Sequence, residues 1–309
     1  MSLLSIVVPC FNEEESVELY LKEIQKVLAS YDYEILFIND GSGDNTLKKI
    51  KEMANENANV KYVSFSRNFG KESAIYAGLK NASGDLICVM DADLQHPPDL
   101  LPEMIETISS EDYDVVAAKR VSRKGESKIK SFFSNLFYKV FNRISKMNLE
   151  EGATDYRVMT RQVVDSILQL PEYNRFSKGL FQWVGFNTKW IAYENVERLA
   201  GETTWSFWGL VEYSIEGLVA FSALPLSISI VLGIIFSIIA FIYMIFIIAK
   251  YLLYSDSVKG FATIMCAILL LGGLQLLSIG ILGKYIEKTY FETKNRPIYI
   301  VKESNIDDR

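Results

Sequence analysis

The sequence predicts an α/β domain on a mostly parallel sheet, followed by amphipathic interfacial helices and two transmembrane helices. Three observations carry that reading. Short Val- and Ile-rich runs alternate with helical periodicity in the first half, a basic Phe-rich segment follows, and two long uncharged runs lie near the end.

The runs "LLSIVVP", "YEILFIND", "VKYVSFS", "DLICVMD" and "DVVAAK" are bounded by Asn, Asp or Gly and read as strands. Between them, segments such as "EEESVELYLKEIQKVLAS" repeat apolar residues at helical spacing. In a sheet covered by helices on both faces, ligands bind outside the carboxyl ends of the strands. Asp40 and the pair Asp91/Asp93 fall at two such ends, and Asn12 lies just past a third. In "VMDADLQHPPDL", continued strand alternation would turn Asp91 and Asp93 to one face. Two like charges that close call for a cation between or in front of them. The prolines after Gln95 would end that strand and start the next helix. Asp44 reads as a helix cap.

In the middle segment "KIKSFFSNLFYKVFNRISKM", Ile129, Phe132, Phe133, Leu136, Phe137, Val140, Phe141, Ile144 and Met147 follow helical spacing. From Lys119 to Lys146 there are nine basic residues and one acid, Glu126, although the chain's net charge is −6. A basic, Phe-rich amphipathic helix over about residues 127–147 suits a membrane interface, with packing on the sheet as the other reading. Trp205 and Trp208 suit a headgroup zone in the same way. No residue from Gly217 to Ala249 or from Gly260 to Gly283 is charged. Each run can cover a hydrocarbon core about 30 Å thick, which takes roughly 20 helical residues. The segment after the second run is more basic than the loop "KYLLYSDSVK", so both termini and the large domain are expected in the cytoplasm. The N-terminus "MSLLSIVVPCFNEEES" lacks the basic n-region of a signal peptide. Cys10, Cys88 and Cys266 have no metal or redox spacing, as suits a reducing compartment. The expected division is 1–200 for the α/β domain, 201–222 for an interfacial helix, 223–284 for two spans and 285–309 for a cytoplasmic tail.

The stretches "IVVPCFNEEES", "INDGSGDNT", "SRNFGKESAIYAGL", "DADLQHPPDL", "GATDYRVMTR", "KGLFQWVGF", "ERLAGETTW" and "YFETKNRPIYIV" occur in that order over nearly the whole chain. Together they resemble the family 2 glycosyltransferases of the dolichol-phosphate mannose synthase and bactoprenol glucosyltransferase type. The resemblance implies a GT-A nucleotide-sugar-binding domain and a polyprenyl phosphate acceptor, undecaprenyl phosphate in a bacterium. It implies Mg²⁺ or Mn²⁺ at Asp91 and Asp93, and donor contacts from Pro9, Asn12, Glu13, Glu14, Asp40, Arg67, Lys71, Asp91 and Gln95. Asp93 and Asp155 would be catalytic, with Asp155 either a base or an orienting group. Arg120 and Arg123 match basic positions after the fifth strand that could hold the acceptor phosphate or the donor diphosphate, and Arg198 is a third phosphate candidate. His96, the only histidine, would stand behind the acids.

The implied reaction moves one sugar by inverting displacement, giving a lipid-linked monosaccharide for cell-wall or surface glycan. UDP-glucose and UDP-N-acetylglucosamine lead as donors, with GDP-mannose behind. Two departures fall on the expected acceptor side: Ser177-Lys178-Gly179 stands where "RGL" is common, and "GETTW" where "GES-Lys" is frequent. A processive synthase would need a Q-x-x-R-W spacing that "FQWVGF" lacks. A non-catalytic subunit of a lipid-linked sugar flippase is the rival from another class, and the intact acids argue against it. A homo-oligomer is expected from the family and from Gly272-Gly273 in a span, and no nucleic-acid partner is expected.

Overall fold

The structure is a computed structural model that describes residues 2–121, 139, 141–143, 150–194, 219–254 and 260–306. The chain divides into two compact units, Met1–Ser214 with Asn295–Arg309, and Ile215–Lys294.

The first unit runs β1 (Leu4–Cys10), α1 (Val17–Val27), β2 (Tyr33–Asn39), α2 (Thr46–Glu56), β3 (Val60–Phe65), α3 (Lys71–Asn81) and β4 (Leu86–Val89). A 3₁₀ turn, Pro98–Leu100, then leads into α4 (Leu101–Ser110) and β5 (Val115–Arg120). After β6 (Ala153–Thr160) come α5 (Arg161–Leu168), α6 (Ser177–Trp183) and β7 (Thr188–Tyr193). The eight-stranded sheet has the order β7-β5-β6-β4-β1-β2-β3-β8, where β8 is Val301–Ser304. All five predicted strands are present, and β4, β1, β2 and β3 are parallel to one another.

Both faces of this parallel part are covered, which is why its strands read as unbroken apolar runs. Ile6, Val8 and Phe37 pack in one core with Ile24 of α1, and Val7, Ile38 and Val89 pack in the other with Ala74 and Ala77 of α3. Helix α3 lies so close to β1 that a Cβ on Gly78 would stand 2.0 Å from Cγ1 of Val7. Glycine at that position lets α3 seat its first residue, Lys71, at the carboxyl edge of the sheet.

Strand β6 runs against its neighbours, pairing Val89 with Arg157 on one side and Ala117 with Arg157 on the other. Its first residues therefore lie at the carboxyl ends of β4 and β5, and the register carried on by two residues sets Asp155 beside Asp91. No periodicity in the sequence signals that reversal.

One expectation changes. Residues 285–309 are not a separate tail: α8 continues from Phe261 to Thr293, and the chain after it forms β8 antiparallel to β3. Charge marks where an apolar stretch ends, but Lys and Glu are good helix formers and let the helix continue. The short polar strand "VKES" has no alternation to announce it. Of the predicted helix 127–147, only Lys139 and residues 141–143 are described; there Phe141 is fully buried beside Phe176. The rest of it lies outside the described residues, as do Arg123, Arg198, Trp205, Trp208 and most of 201–222.

In the second unit, α7 (Leu224–Tyr254) and α8 each contain a segment long and apolar enough to cross a membrane, Leu224–Lys250 and Ala267–Thr293. Each segment has 27 residues, and at about 1.5 Å per residue spans some 40 Å, beyond the ~30 Å of a hydrocarbon core. The Tyr285 hydroxyl near the far end of α8 donates to the Ser222 carbonyl just before α7.

Candidate active site

The loops after β1 and β2 are laced together. The Asn12 N–H donates to Ser42 Oγ at 3.0 Å, and the Gly43 N–H returns to Asn12 Oδ1 at 2.9 Å. The Glu13 N–H donates to Thr46 Oγ1 at 2.8 Å, and the Asn45 N–H donates to Glu14 Oε2 at 2.8 Å. Asn12 takes φ 55, a region Asn tolerates better than most residues. Pro9 lies within β1, in register with Ile38. Asp44 holds the first turn of α2 through the Thr46 N–H at 3.0 Å and also accepts the Glu14 N–H at 3.2 Å. The N-cap position is Asn45, so Asp44, expected as the cap, stands one residue before it and ties the two loops together.

Asp40 is buried, 3% exposed, and both its oxygens are engaged: Phe69 N–H donates to one at 2.6 Å and Gly70 N–H to the other at 2.9 Å. Burial pushes its pKa up, against the pull of those two amides and of Arg67. Beside it, Gly41 has φ +65, and a Cβ there would stand 2.4 Å from the Arg67 carbonyl carbon. Only glycine lets the β2 loop touch the loop before α3. Arg67 lays its guanidinium over Phe69, 4.1 Å from the ring centroid. Asp40, expected as a donor contact, also shapes residues 66–70 through its bonds to the Phe69 and Gly70 N–H groups.

At β4 the geometry differs from the alternation expected. The strand stops at Val89, before the acids and before the prolines, and Asp91 and Asp93 sit in the turn that follows. Asp93 Oδ1 accepts the Gln95 N–H at 3.1 Å, and Leu94 takes φ 57. A side chain that satisfies the backbone two residues on favours a turn over an extended chain. The prolines do mark the start of the next helical turn.

The chain itself supplies a cation to Asp91 and Asp155. Lys71 Nζ lies 2.7 and 2.9 Å from the two oxygens of Asp91 and 2.8 Å from Asp155 Oδ2. Burial alone would depress the lysine, but Asp155 and Asp91 outweigh it and raise its pKa well above the usual lysine range. Burial likewise opposes ionisation of Asp155, yet Lys71 and then Lys178 hold it well below the usual carboxylate range. Asp91 is lowered in the same manner, against burial, chiefly by Lys71.

Behind the acids, His96 is buried, stacked on Tyr156 at 5.3 Å and edge-on to Tyr193 at 6.3 Å. Its Nδ1 is 3.4 Å from the Asp91 N–H, and burial lowers its pKa, so it is a neutral prop. Arg120 donates from Nε to the Tyr193 hydroxyl at 3.2 Å and from Nη2 to Gln95 Oε1 at 3.3 Å. It therefore adjoins the acid turn.

Four features escaped the sequence reading: Lys71 as the acids' counterion, the Phe69 and Gly70 amides on Asp40, the Glu72–Ser177 contact, and Arg157. Glu72 accepts from the backbone N–H and hydroxyl of Ser177, one of the departing residues. Arg157 is buried over the Phe181 ring at 3.8 Å and donates to the Thr154 carbonyl at 2.7 Å; burial lowers its pKa to about 10. An arginine within the apolar strand "ATDYRVMT" was the available signal.

Among the described residues, no three His, Cys, Asp or Glu side chains gather as a complete metal cage. Two carboxylates at an open sheet edge nonetheless fit Mg²⁺ or Mn²⁺, which need one or two such ligands and complete their shell with phosphate and water.

Comparison with known proteins accords with this geometry. The model of "Glycosyl transferase family 2" matches residues 5–168. The Bacillus subtilis protein CsbB is 48% identical over 309 residues, covering 99% of this chain and 93% of that protein. The "prophage bactoprenol glucosyl transferase homolog" of Escherichia coli is 42% identical, covering 97% of this chain and 98% of the relative. Among solved structures, glucosyl-3-phosphoglycerate synthase from Mycobacterium tuberculosis, with Mn²⁺, uridine diphosphate and phosphoglyceric acid, aligns with a TM-score of 0.51. That alignment is 17% identical and covers 71% of this chain and 76% of the synthase, a likeness of fold that makes the first unit a GT-A domain. With the family model over more than half of its residues and a near-full-length relative 48% identical, the chain belongs to glycosyl transferase family 2 and is a glycosyltransferase.

Proposed function

We propose that the protein transfers a single glucose from UDP-glucose to undecaprenyl phosphate at the membrane surface. The observation that carries this reading is whole-length similarity to proteins named bactoprenol glucosyl transferases, 42% and 41% identical over 97% and 98% of this chain. UDP-N-acetylglucosamine and then GDP-mannose are the competing donors.

In this reading the laced Pro9–Glu14 and Asp40–Gly43 loops, with Arg67, receive the nucleotide, and Gln95 faces the sugar side. Asp91 and Asp93 would hold Mg²⁺ or Mn²⁺, which neutralises charge on the departing nucleoside diphosphate. Arg120, with Arg123 and Arg198, engages the acceptor phosphate, as guanidinium forks do. A phosphate monoester has its second pKa near 6, so the acceptor oxygen is already a nucleophile at neutral pH. Such a nucleophile needs little proton removal, so Asp155 orients the acceptor or takes its residual proton, and a single displacement inverts the anomeric carbon. Helices α7 and α8 anchor the enzyme, with the GT-A domain and both termini in the cytoplasm. Gly272 and Gly273, where an added Cβ would meet no atom within 4 Å among the described residues, provide a surface for self-association.

The test uses the full chain in detergent with undecaprenyl phosphate, Mn²⁺ and, separately, radiolabelled UDP-glucose, UDP-N-acetylglucosamine and GDP-mannose. Label entering the lipid phase from UDP-glucose, and lost in Asp93→Asn, supports the reading. No lipid label from UDP-glucose with folded protein overturns it, and label from another donor reassigns the sugar.

A further inference from the structure

We propose that Lys71 is a tethered counterion: before donor arrives, its ammonium stands in for a divalent cation between Asp91 and Asp155, and a nucleoside diphosphate with its metal displaces it. This rests on the reading that Asp91 and Asp93 hold the metal.

Lys71 Nζ contacts both oxygens of Asp91 and one of Asp155, so a single ammonium balances two carboxylates. A divalent ion must approach a carboxylate oxygen to about 2.1 Å, which would set it close beside an ammonium already in contact with Asp91. Two cations that near repel each other, so the arrival of one favours the departure of the other. Lysine suits that exchange, because its charge rides on a flexible four-carbon stem.

The location favours departure once phosphate is present. Lys71 is the first residue of α3, reached through Gly70 at φ +96. A helix N-terminus disfavours a cation and favours an anion. Among the described residues two carboxylates hold the ammonium there, and an incoming diphosphate offers it another anion at the same helix end. Two consequences follow. Metal alone binds weakly and enters together with the nucleotide. Asp155, released from Lys71, becomes available to the acceptor only when donor is in place, which orders the two substrates.

The experiment measures Mn²⁺ affinity by electron paramagnetic resonance, on the full chain in detergent, with Mn²⁺ alone and with Mn²⁺ plus UDP. With Mn²⁺ alone, Lys71→Met should bind at least tenfold more tightly than wild type, whereas Lys71→Arg should stay as weak as wild type. UDP should raise affinity much more in wild type than in Lys71→Met. Thermal melting of Lys71→Met should fall in EDTA and recover with Mn²⁺ beyond the shift seen in wild type. Lys71→Gln, which keeps a hydrogen-bond donor without the charge, covers a Met variant that fails to fold and should likewise bind Mn²⁺ more tightly. Neutral variants that bind Mn²⁺ no better than wild type, with UDP helping all proteins equally, would make Lys71 a fixed structural pair and overturn the proposal. No Mn²⁺ on any protein, even with UDP, overturns the metal reading and the counterion with it.

Discussion

Asp40 and Asp91 stand at the ends of adjacent regions of one sheet edge, and the chain neutralises them in opposite ways. Asp40 is gripped by two backbone amides that cannot move without unfolding a loop. Asp91 is gripped by a lysine side chain that can. Backbone donors build a permanent shape; a side-chain counterion leaves a charge that a ligand can claim. On the proposed reading, the edge joins a rigid cradle for one end of the substrate to an exchangeable site for the reacting end.

The strongest way to break this contrast is at the exchangeable site. Asp91→Asn should lower kcat/KM for transfer by about a thousandfold, the several kcal/mol that a bound metal contributes to a developing charge. The fold should survive, and circular dichroism alongside the transfer assay checks both halves. A loss under tenfold would remove Asp91 from the chemistry.

At the rigid cradle the effect should be mainly structural. Asp40→Ala leaves two part-buried amide N–H groups without their acceptor, at up to about 1–3 kcal/mol each when unsatisfied. Urea unfolding should show that loss, donor KM should rise, and Mn²⁺ should rescue neither. Rescue by metal would mean that Asp40 belongs with the exchangeable acids.

Glu34 provides a control for a buried carboxylate remote from the chemistry. It pairs with Lys61 and accepts the Ser83 N–H and hydroxyl, each at 2.7 Å, together with the Ser5 hydroxyl. These contacts overcome burial and lower its pKa from 4.5 to about 2. A carboxylate depressed on folding adds stability above its unfolded pKa, and that stability is lost as pH falls through the folded one. Glu34→Gln should therefore cost at most about 3 kcal/mol near neutrality, and wild type should converge on it between about pH 4.5 and pH 2. A constant gap in urea unfolding across that window would show that the charge is not what matters.

These cases also mark what a linear chain discloses. Strands β1 to β5 were legible because burial on both faces requires consecutive apolar residues, and the acids were legible because they interrupt those runs. Their partners were not. Lys71 is 20 residues from Asp91 in sequence and meets it only because α3 packs tightly on β1 through Gly78. Asp155 joins them because β6 runs backwards, a choice of topology that no periodicity records. Alternation failed at Asp93 for a local reason, a carboxylate that bonds Gln95 and turns the backbone.

The smallest effect tests how far the rigid cradle extends, and it lies at the other end of the chain. The Ser66 N–H donates to the Ile300 carbonyl at 3.0 Å, and Tyr299 stacks on Phe65 at 4.9 Å. Residues beside β8 thus tie down the start of the 66–70 loop, while Asp40 ties down its end. An aromatic pair is worth about 0.5–1.5 kcal/mol beyond its buried area. Tyr299→Ala should therefore raise donor KM by roughly two- to tenfold, with kcat nearly unchanged because the acids and Lys71 are untouched. A fall in kcat at constant KM would place the C-terminal strand with the exchangeable site, and the division of the edge into a fixed and a mobile half would fail.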